Sequence, residues 1–224
     1  MCGRFTLKTP ASDIASVFSV QLPIQFQITP FVPRYNIAPT QQVSVIVEDA
    51  GPQWKLFRWG LIPSWAKDTK IGYKLINARG ETIHEKPSFR NAFKKRRCLV
   101  LADGFYEWQK TESGKLPHYF SRQDGGVMAF AGLWETWSKE EKIYSCTIIT
   151  TEANELLDPY HDRMPVILDS ENHEKWLDPD FEDQNNLRKL IQTYPADDMI
   201  SRRANPIVNN ARHETPECLE FEDN

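Results

Sequence analysis

Cys2 stands directly behind the initiator methionine, a position in which a thiol can become half of a reactive pair. Aminopeptidases remove Met1 when the following side chain is small, and cysteine qualifies. Removal leaves a 1,2-aminothiol: an α-amine of pKa about 8 beside a thiol of pKa about 8.5, each partly nucleophilic near pH 7. Such a pair condenses with an aldehyde to an imine, and the thiol then closes a five-membered thiazolidine ring. No internal residue can do this. The same thiol could instead attack an amide, and position alone leaves both chemistries open.

Further segments carry residue types suited to such work. In Leu75-Ile76-Asn77-Ala78-Arg79-Gly80-Glu81-Thr82 an apolar pair runs into Asn77, a neutral donor and acceptor, and then Arg79, a fork that fits phosphate. In Ala102-Asp103-Gly104-Phe105-Tyr106-Glu107-Trp108, period-two alternation puts Phe105, Glu107 and Gln109 on one face and Tyr106 and Trp108 on the other. Glu107 is then either a solvent-face residue or a desolvated acid with a raised pKa, suited to proton transfer near neutrality. His161 lies in the proline-bracketed loop Asp158–Val166, crowded by Asp162 and Arg163. It is the best acid–base candidate among the five histidines. His84 and His173 fall in polar, helix-like stretches and read as surface residues.

Elements must position these groups. Thr9-Pro10 opens a helix whose apolar side carries Ile14, Val17 and Phe18. A proline-rich connection follows, through Arg34-Tyr35-Asn36-Ile37-Ala38-Pro39. Strands are predicted over 43–48, 54–59, 99–102, 105–109, 118–121, 127–135 and 144–151, and helices over 88–96, 171–177 and 186–192. Asp124-Gly125-Gly126 reads as a hairpin turn. Strands cluster in mid-chain and do not alternate with helices. That pattern predicts an α+β single domain with a mainly antiparallel, barrel-like β-sheet core flanked by short helices. The domain is expected over 1–212, with an acidic and disordered tail over 213–224.

Composition fits an ordinary globular chain of 224 residues, 40% hydrophobic and 26% charged, enough for one buried core. No apolar run reaches the roughly 20 residues of a bilayer span, and the N-terminus lacks a signal-peptide apolar region. The expected location is cytoplasmic. The net charge of −4 weighs against broad nucleic-acid affinity, although Lys94, Lys95, Arg96 and Arg97 form a run that reads as a solvated face. Cys98 and Cys146 sit in strand-like runs as small core hydrophobes, and none of the four cysteines forms a CxxC pair. No metal and no organic cofactor are indicated, and a monomer is expected.

Taken together, Cys2-Gly3-Arg4-Phe5, Arg34–Pro39, Trp59–Trp65, Asn77–Thr82, Ala102–Trp108 and His161–Pro165 resemble the SOS-response-associated peptidase (SRAP) family. Its members shield abasic sites in single-stranded DNA. The resemblance implies that Cys2 traps the ring-opened aldehyde as a thiazolidine DNA–protein crosslink. Asn77 would position the crosslink, Glu107 shuttle protons, and His161 assist sugar ring opening and reversal. Arg4 and Arg79 would hold phosphates, Trp65 and Trp108 would stack on the strand, and Asn36 and Pro39 would line it. The partner is then single-stranded DNA containing abasic sites, with nucleoid association when bound. The peptidase name suits self-processing that exposes Cys2. Where some relatives carry two adjacent tryptophans after the proline loop, this chain has Trp65-Ala66. The alternatives are a noncatalytic single-stranded DNA-binding module and an N-terminal-cysteine amidohydrolase; no glutamine-pocket motif supports the latter.

Overall fold

The aromatic and β-branched runs form strands because each can bury at least one face of a pleated sheet. In a computed structural model, residues 2–221 are described except 113, 140 and 182, and without the side chains of 27 and 28. Five strands close a ring: β3 (Gln42–Glu48), β4 (Pro52–Trp59), β6 (Arg97–Ala102), β9 (Met128–Ser138) and β10 (Lys142–Glu152). Neighbours pair in the cyclic order β3–β4–β10–β9–β6, all antiparallel except the parallel β4–β10. Two short strands extend β10: β5 (Asn77–Arg79), parallel, and β11 (Arg163–Pro165), antiparallel. A second, fully antiparallel sheet runs β12 (Met199–Arg203), β8 (Gly114–Arg122), β7 (Gly104–Thr111), β1 (Phe5–Leu7), β2 (Arg34–Ile37). The molecule is therefore a single α+β domain with a mainly antiparallel, barrel-like core.

One buried aromatic seam joins the two sheets. The Phe5 ring lies 5.0 Å from Trp59 of the barrel and 6.1 Å from Phe130, and Phe105 packs 5.5 Å from Phe120 and 6.0 Å from Phe130. Burying a phenylalanine stabilises by roughly 1.5–3 kcal/mol, so Phe5 ties the start of the chain to the core. Gly104 permits the closest approach in this region. A Cβ there would stand 2.4 Å from the Tyr119 ring and 2.5 Å from the Phe120 carbonyl. The face alternation expected for β7 holds, since Phe105 joins the main core while Tyr106 packs with Tyr119, Val208 and Cys218.

Helices are short: α1 (Ala11–Val17), α2 (Ile24–Ile28), α3 (Arg90–Lys95), α4 (His173–Leu177) and α5 (Gln184–Lys189). In α1 only Ile14 is buried, and Val17 faces outward. Several sequence expectations change. Asp124–Gly126 is not a hairpin turn: it leads from β8 in one sheet to β9 in the other. Arg97 is not on a solvated face. Its guanidinium is buried and donates to the carbonyls of Phe93, Lys94, Trp176 and Asp178, a strut between β6 and the chain around α4. His173 is half-buried, stacks on Phe18 at 5.4 Å and bonds the Leu168 carbonyl, and His84 is half-buried as well. The tail is not disordered through 221. Residues 216–219 form a 3-10 turn, Cys218 is buried, and Phe221 bridges to Ala204.

Candidate active site

The N-terminal segment enters the site because β1 is threaded between β2 and β7. Thr6 pairs with Gly104, and the Tyr106 amide donates to the Arg4 carbonyl at 2.9 Å, so Cys2 is carried alongside Glu107. Asn77, on β5, donates from Nδ2 to the Cys2 carbonyl at 2.8 Å. Its Oδ1 is buried with no hydrogen-bond partner among the described residues. Sequence reasoning placed these residues in one constellation, and the topology does bring them together.

Cys2 has no solvent exposure. Burial, reinforced by the Glu107 charge, pushes its thiol far above the ordinary range and holds it protonated. Burial also raises the Glu107 carboxyl, in the direction a proton donor near neutrality needs. This settles the choice left open between a solvent-face carboxylate and a desolvated acid in favour of the second, since Glu107 is buried. Glu107, Trp108, Tyr160, His161 and Asn209 line one cleft of about 860 Å³.

His161 approaches from the other side of that cleft. Its Nδ1 accepts a hydrogen bond from the Arg163 amide at 2.9 Å, which leaves the proton of the neutral ring on Nε2. Burial lowers its pKa, while Asp162, with Oδ1 2.8 Å from Nδ1, opposes that shift. Arg163 fixes the loop: its guanidinium grips Glu81 through both nitrogens at 2.7 and 2.9 Å and donates to the Thr150 carbonyl at 2.7 Å. Tyr160, beside it, packs against His118 at 4.4 Å and Phe120 at 5.2 Å. Arg163, Glu81, His118 and Tyr160 are supporting residues that the sequence reading missed. Glu81 and Arg163 flank Asn77 and His161 in the chain, but nothing in the sequence pairs them.

The residues expected to line DNA divide into two groups. Trp65 is 58% exposed, Arg79 is exposed, and Pro39 is partly so. Beside Trp65, Ala66 is buried against Ile62, Ile71 and Trp137, and the Trp137 Nε1 donates to the Ala66 carbonyl at 3.0 Å. Asn36 is unavailable to a strand. It is fully buried, with Nδ2 donating to the Val208, Asn210 and His213 carbonyls and Oδ1 accepting from Arg4 at 2.7 Å. Its role is to hold Arg4, whose guanidinium carbon lies 5.8 Å from the centre of the Trp108 ring. Trp108 in turn donates from Nε1 to Asn209 Oδ1 at 2.6 Å.

Residues 1–211 match the family model described as SOS response associated peptidase (SRAP). The chain belongs to the SRAP family. It is similar to the abasic site processing protein YoqW of Bacillus subtilis (strain 168), 46% identical over 228 residues, covering 98% of this chain and 99% of that protein. It is also similar to the abasic site processing protein HMCES of Rattus norvegicus, 32% identical, covering 98% of this chain and 75% of that protein. A crystal structure of a protein from Bacteroides thetaiotaomicron superposes with a TM-score of 0.89 at 26% identity, covering 99% of this chain and 100% of that one. A Bordetella bronchiseptica structure gives 0.73 at 25% identity, with 91% and 100% covered. SRAP membership thus rests on the whole chain, including every segment that contributes to the cleft. Among the described residues, no helix is long and apolar enough to cross a membrane.

Proposed function

We propose that this SRAP protein captures abasic sites in single-stranded DNA covalently, through Cys2 once Met1 has been removed. The observation that carries the reading is the hydrogen bond from Asn77 to the Cys2 backbone beside a cleft holding Glu107 and His161. Hydrolysis of the Met1–Cys2 peptide bond, by an aminopeptidase or by the chain's own site, consumes one water and frees the amine. The amine then adds to the C1′ aldehyde of the ring-opened sugar. Glu107, whose burial shifts its carboxyl toward the proton-carrying form, donates a proton to the carbinolamine hydroxyl, which leaves as water. An iminium remains. The Cys2 sulfur forms a C–S bond to the iminium carbon, and Glu107 recovers a proton from the thiol. Aldehyde and aminothiol thus give thiazolidine and one water, with no change of oxidation state.

Asn77 holds the Cys2 carbonyl, and its buried Oδ1 is placed to accept from the amine or a sugar hydroxyl. His161, neutral with its proton on Nε2, is the acid–base group for sugar ring opening and for reversal. Trp65, Trp108, Arg4 and Arg79 would hold the strand by stacking and phosphate contact. The test is denaturing electrophoresis after incubation with single-stranded DNA bearing one abasic site. A slower band is expected for the processed wild type and none for Cys2→Ala. No band with wild type, or an undiminished band for Cys2→Ala, refutes the proposal. Reversible, equal binding to intact and abasic strands would identify a noncatalytic module, and glutaminase activity without DNA an amidohydrolase.

A further inference from the structure

The cleft around Glu107 has an unusual charge balance for a polyanionic substrate. Its acids are Glu107, Asp158 and Asp162, and its only permanent cations among the lining residues are Lys110 and Lys115. These lysines stand directly opposite each other in the β7–β8 hairpin, and both side chains are exposed. Neither has an ion pair with a described residue. Like charges facing each other across strands destabilise a hairpin, and an anion held between them removes that cost. Lys110 follows Trp108 by two residues, so both lie on one face of β7, with Arg4 packed over the Trp108 ring. An aromatic platform flanked by cations is the arrangement that takes a nucleic-acid strand, the ring stacking a base and the cations neutralising backbone charge.

We propose that Lys110 and Lys115 form a phosphate seat at the mouth of the cleft, holding the backbone phosphate next to the sugar that reacts at Cys2. The inference rests on the crosslinking reading above and assigns the β7–β8 hairpin to the strand's path. Lysine suits such a seat because its flexible stem carries a point charge and three donors to a moving phosphate. The seat offsets the repulsion from Asp158 and Asp162. It also draws the strand toward His161, where the sugar must open.

The experiment uses a single strand bearing the tetrahydrofuran analogue of an abasic site, which has no aldehyde and binds only reversibly. Affinity is measured by fluorescence anisotropy across about 50–200 mM salt. Each phosphate contact to a single strand contributes a slope of about 0.7 in log affinity against log salt. Losing this one phosphate contact, Lys110→Gln/Lys115→Gln should therefore flatten the slope by about 0.7, so that the fourfold salt rise costs about 2.6-fold less affinity than in wild type. Lys110→Arg/Lys115→Arg should keep the wild-type slope. A wild-type slope in the double glutamine variant overturns the seat. Crosslinking of wild type to a true abasic site, run in parallel, separates the two readings: if it occurs while the slope is unchanged, only the seat fails. If wild type does not crosslink, the cleft's assignment fails first and the seat with it.

Discussion

Asn77 Nδ2 lies 2.8 Å from the carbonyl oxygen of Cys2, a bond between a strand appended to the barrel and the first residues of the chain. It is a long-range tie across 75 positions, and it spends the amide's donor while leaving Oδ1 buried and unbonded among the described residues. Asn77→Asp turns the donor into a second acceptor that faces the Cys2 carbonyl. Loss of one such bond costs about 0.5–1.5 kcal/mol, and leaving the partner buried and unpaired adds to it. The crosslinking rate of Asn77→Asp should fall on the order of tenfold or more. The adduct band should grow correspondingly slowly in a time course, with wild-type kinetics in Asn77→Asp showing that the bond is incidental.

Glu107 shows opposing demands of stability and chemistry. Its folded pKa stands above the ordinary carboxylate value because burial disfavours the charge. The folded state therefore binds the proton more tightly than the unfolded chain. The carboxyl destabilises the fold as pH rises above the ordinary range, with the full cost reached once pH passes the folded value. Glu107→Gln removes that cost, so its thermal midpoint at pH 7–8 should exceed the wild type's, at about 2–4 °C per kcal/mol for a chain of this size. Crosslinking should slow on the order of 10²-fold, the lower end of what general acid–base groups contribute. Calorimetry and gel kinetics on the same preparation decide it. A destabilised Glu107→Gln enzyme that crosslinks at full rate contradicts both halves.

The His161 loop depends on Arg163. The guanidinium makes a two-pronged contact with Glu81 and a third bond to the Thr150 carbonyl, while its amide bonds the His161 ring. Lysine cannot reproduce a fork. Arg163→Lys should lower stability by about 1–3 kcal/mol and slow crosslink reversal, the outcome also expected for His161→Ala. The Glu81 carboxyl is held below its ordinary value by the Arg163 hydrogen bonds. Its contribution is thus present above the ordinary carboxylate range and is lost as pH falls through the depressed folded value. Wild type and Arg163→Lys should converge in thermal midpoint on acidification, and midpoints that stay equally far apart at every pH would show that the ion pair adds nothing.

How much of this was legible beforehand follows from which interactions are local. The long strands announce themselves through β-branched and aromatic runs, so 43–48 and 54–59 fall inside β3 and β4. The short strands do not: β1, β5, β11 and β12 exist because long neighbours pair with them, and three to five residues carry no readable period. Cys2, Asn77, Glu107 and His161 could be grouped because their motifs are distinctive. The support could not, since Glu81 and Arg163 are 82 positions apart and Arg34 and Glu214 are 180 apart. Asn36 was placed along the strand only by the family resemblance. Burial shows its amide fully used inside the protein.

Glu214 is where the acidic tail stops being a tail. Its carboxylate accepts from Arg34 Nη2 at 2.6 Å and from the amides of Tyr35 and Asn36 at 2.9 and 2.7 Å. The same segment supplies the His213 carbonyl to Asn36, which holds Arg4 against Trp108. Tyr106 adds a bond from its hydroxyl to the Tyr35 carbonyl at 2.9 Å, so β2, β7 and the closing segment share one network. Ending the chain after residue 212, where sequence reading placed the domain boundary, removes the Glu214 clamp and the buried Cys218. That truncation should lower the thermal midpoint and weaken strand binding, because Arg4 loses its fixed seat beside the cleft. Glu214→Gln keeps the shape but loses the charge-assisted bonds, each worth about 1.5–3 kcal/mol, and should show part of both effects. A 212-residue chain with wild-type midpoint and affinity would mean that the closing segment rests on the sheet without holding the site.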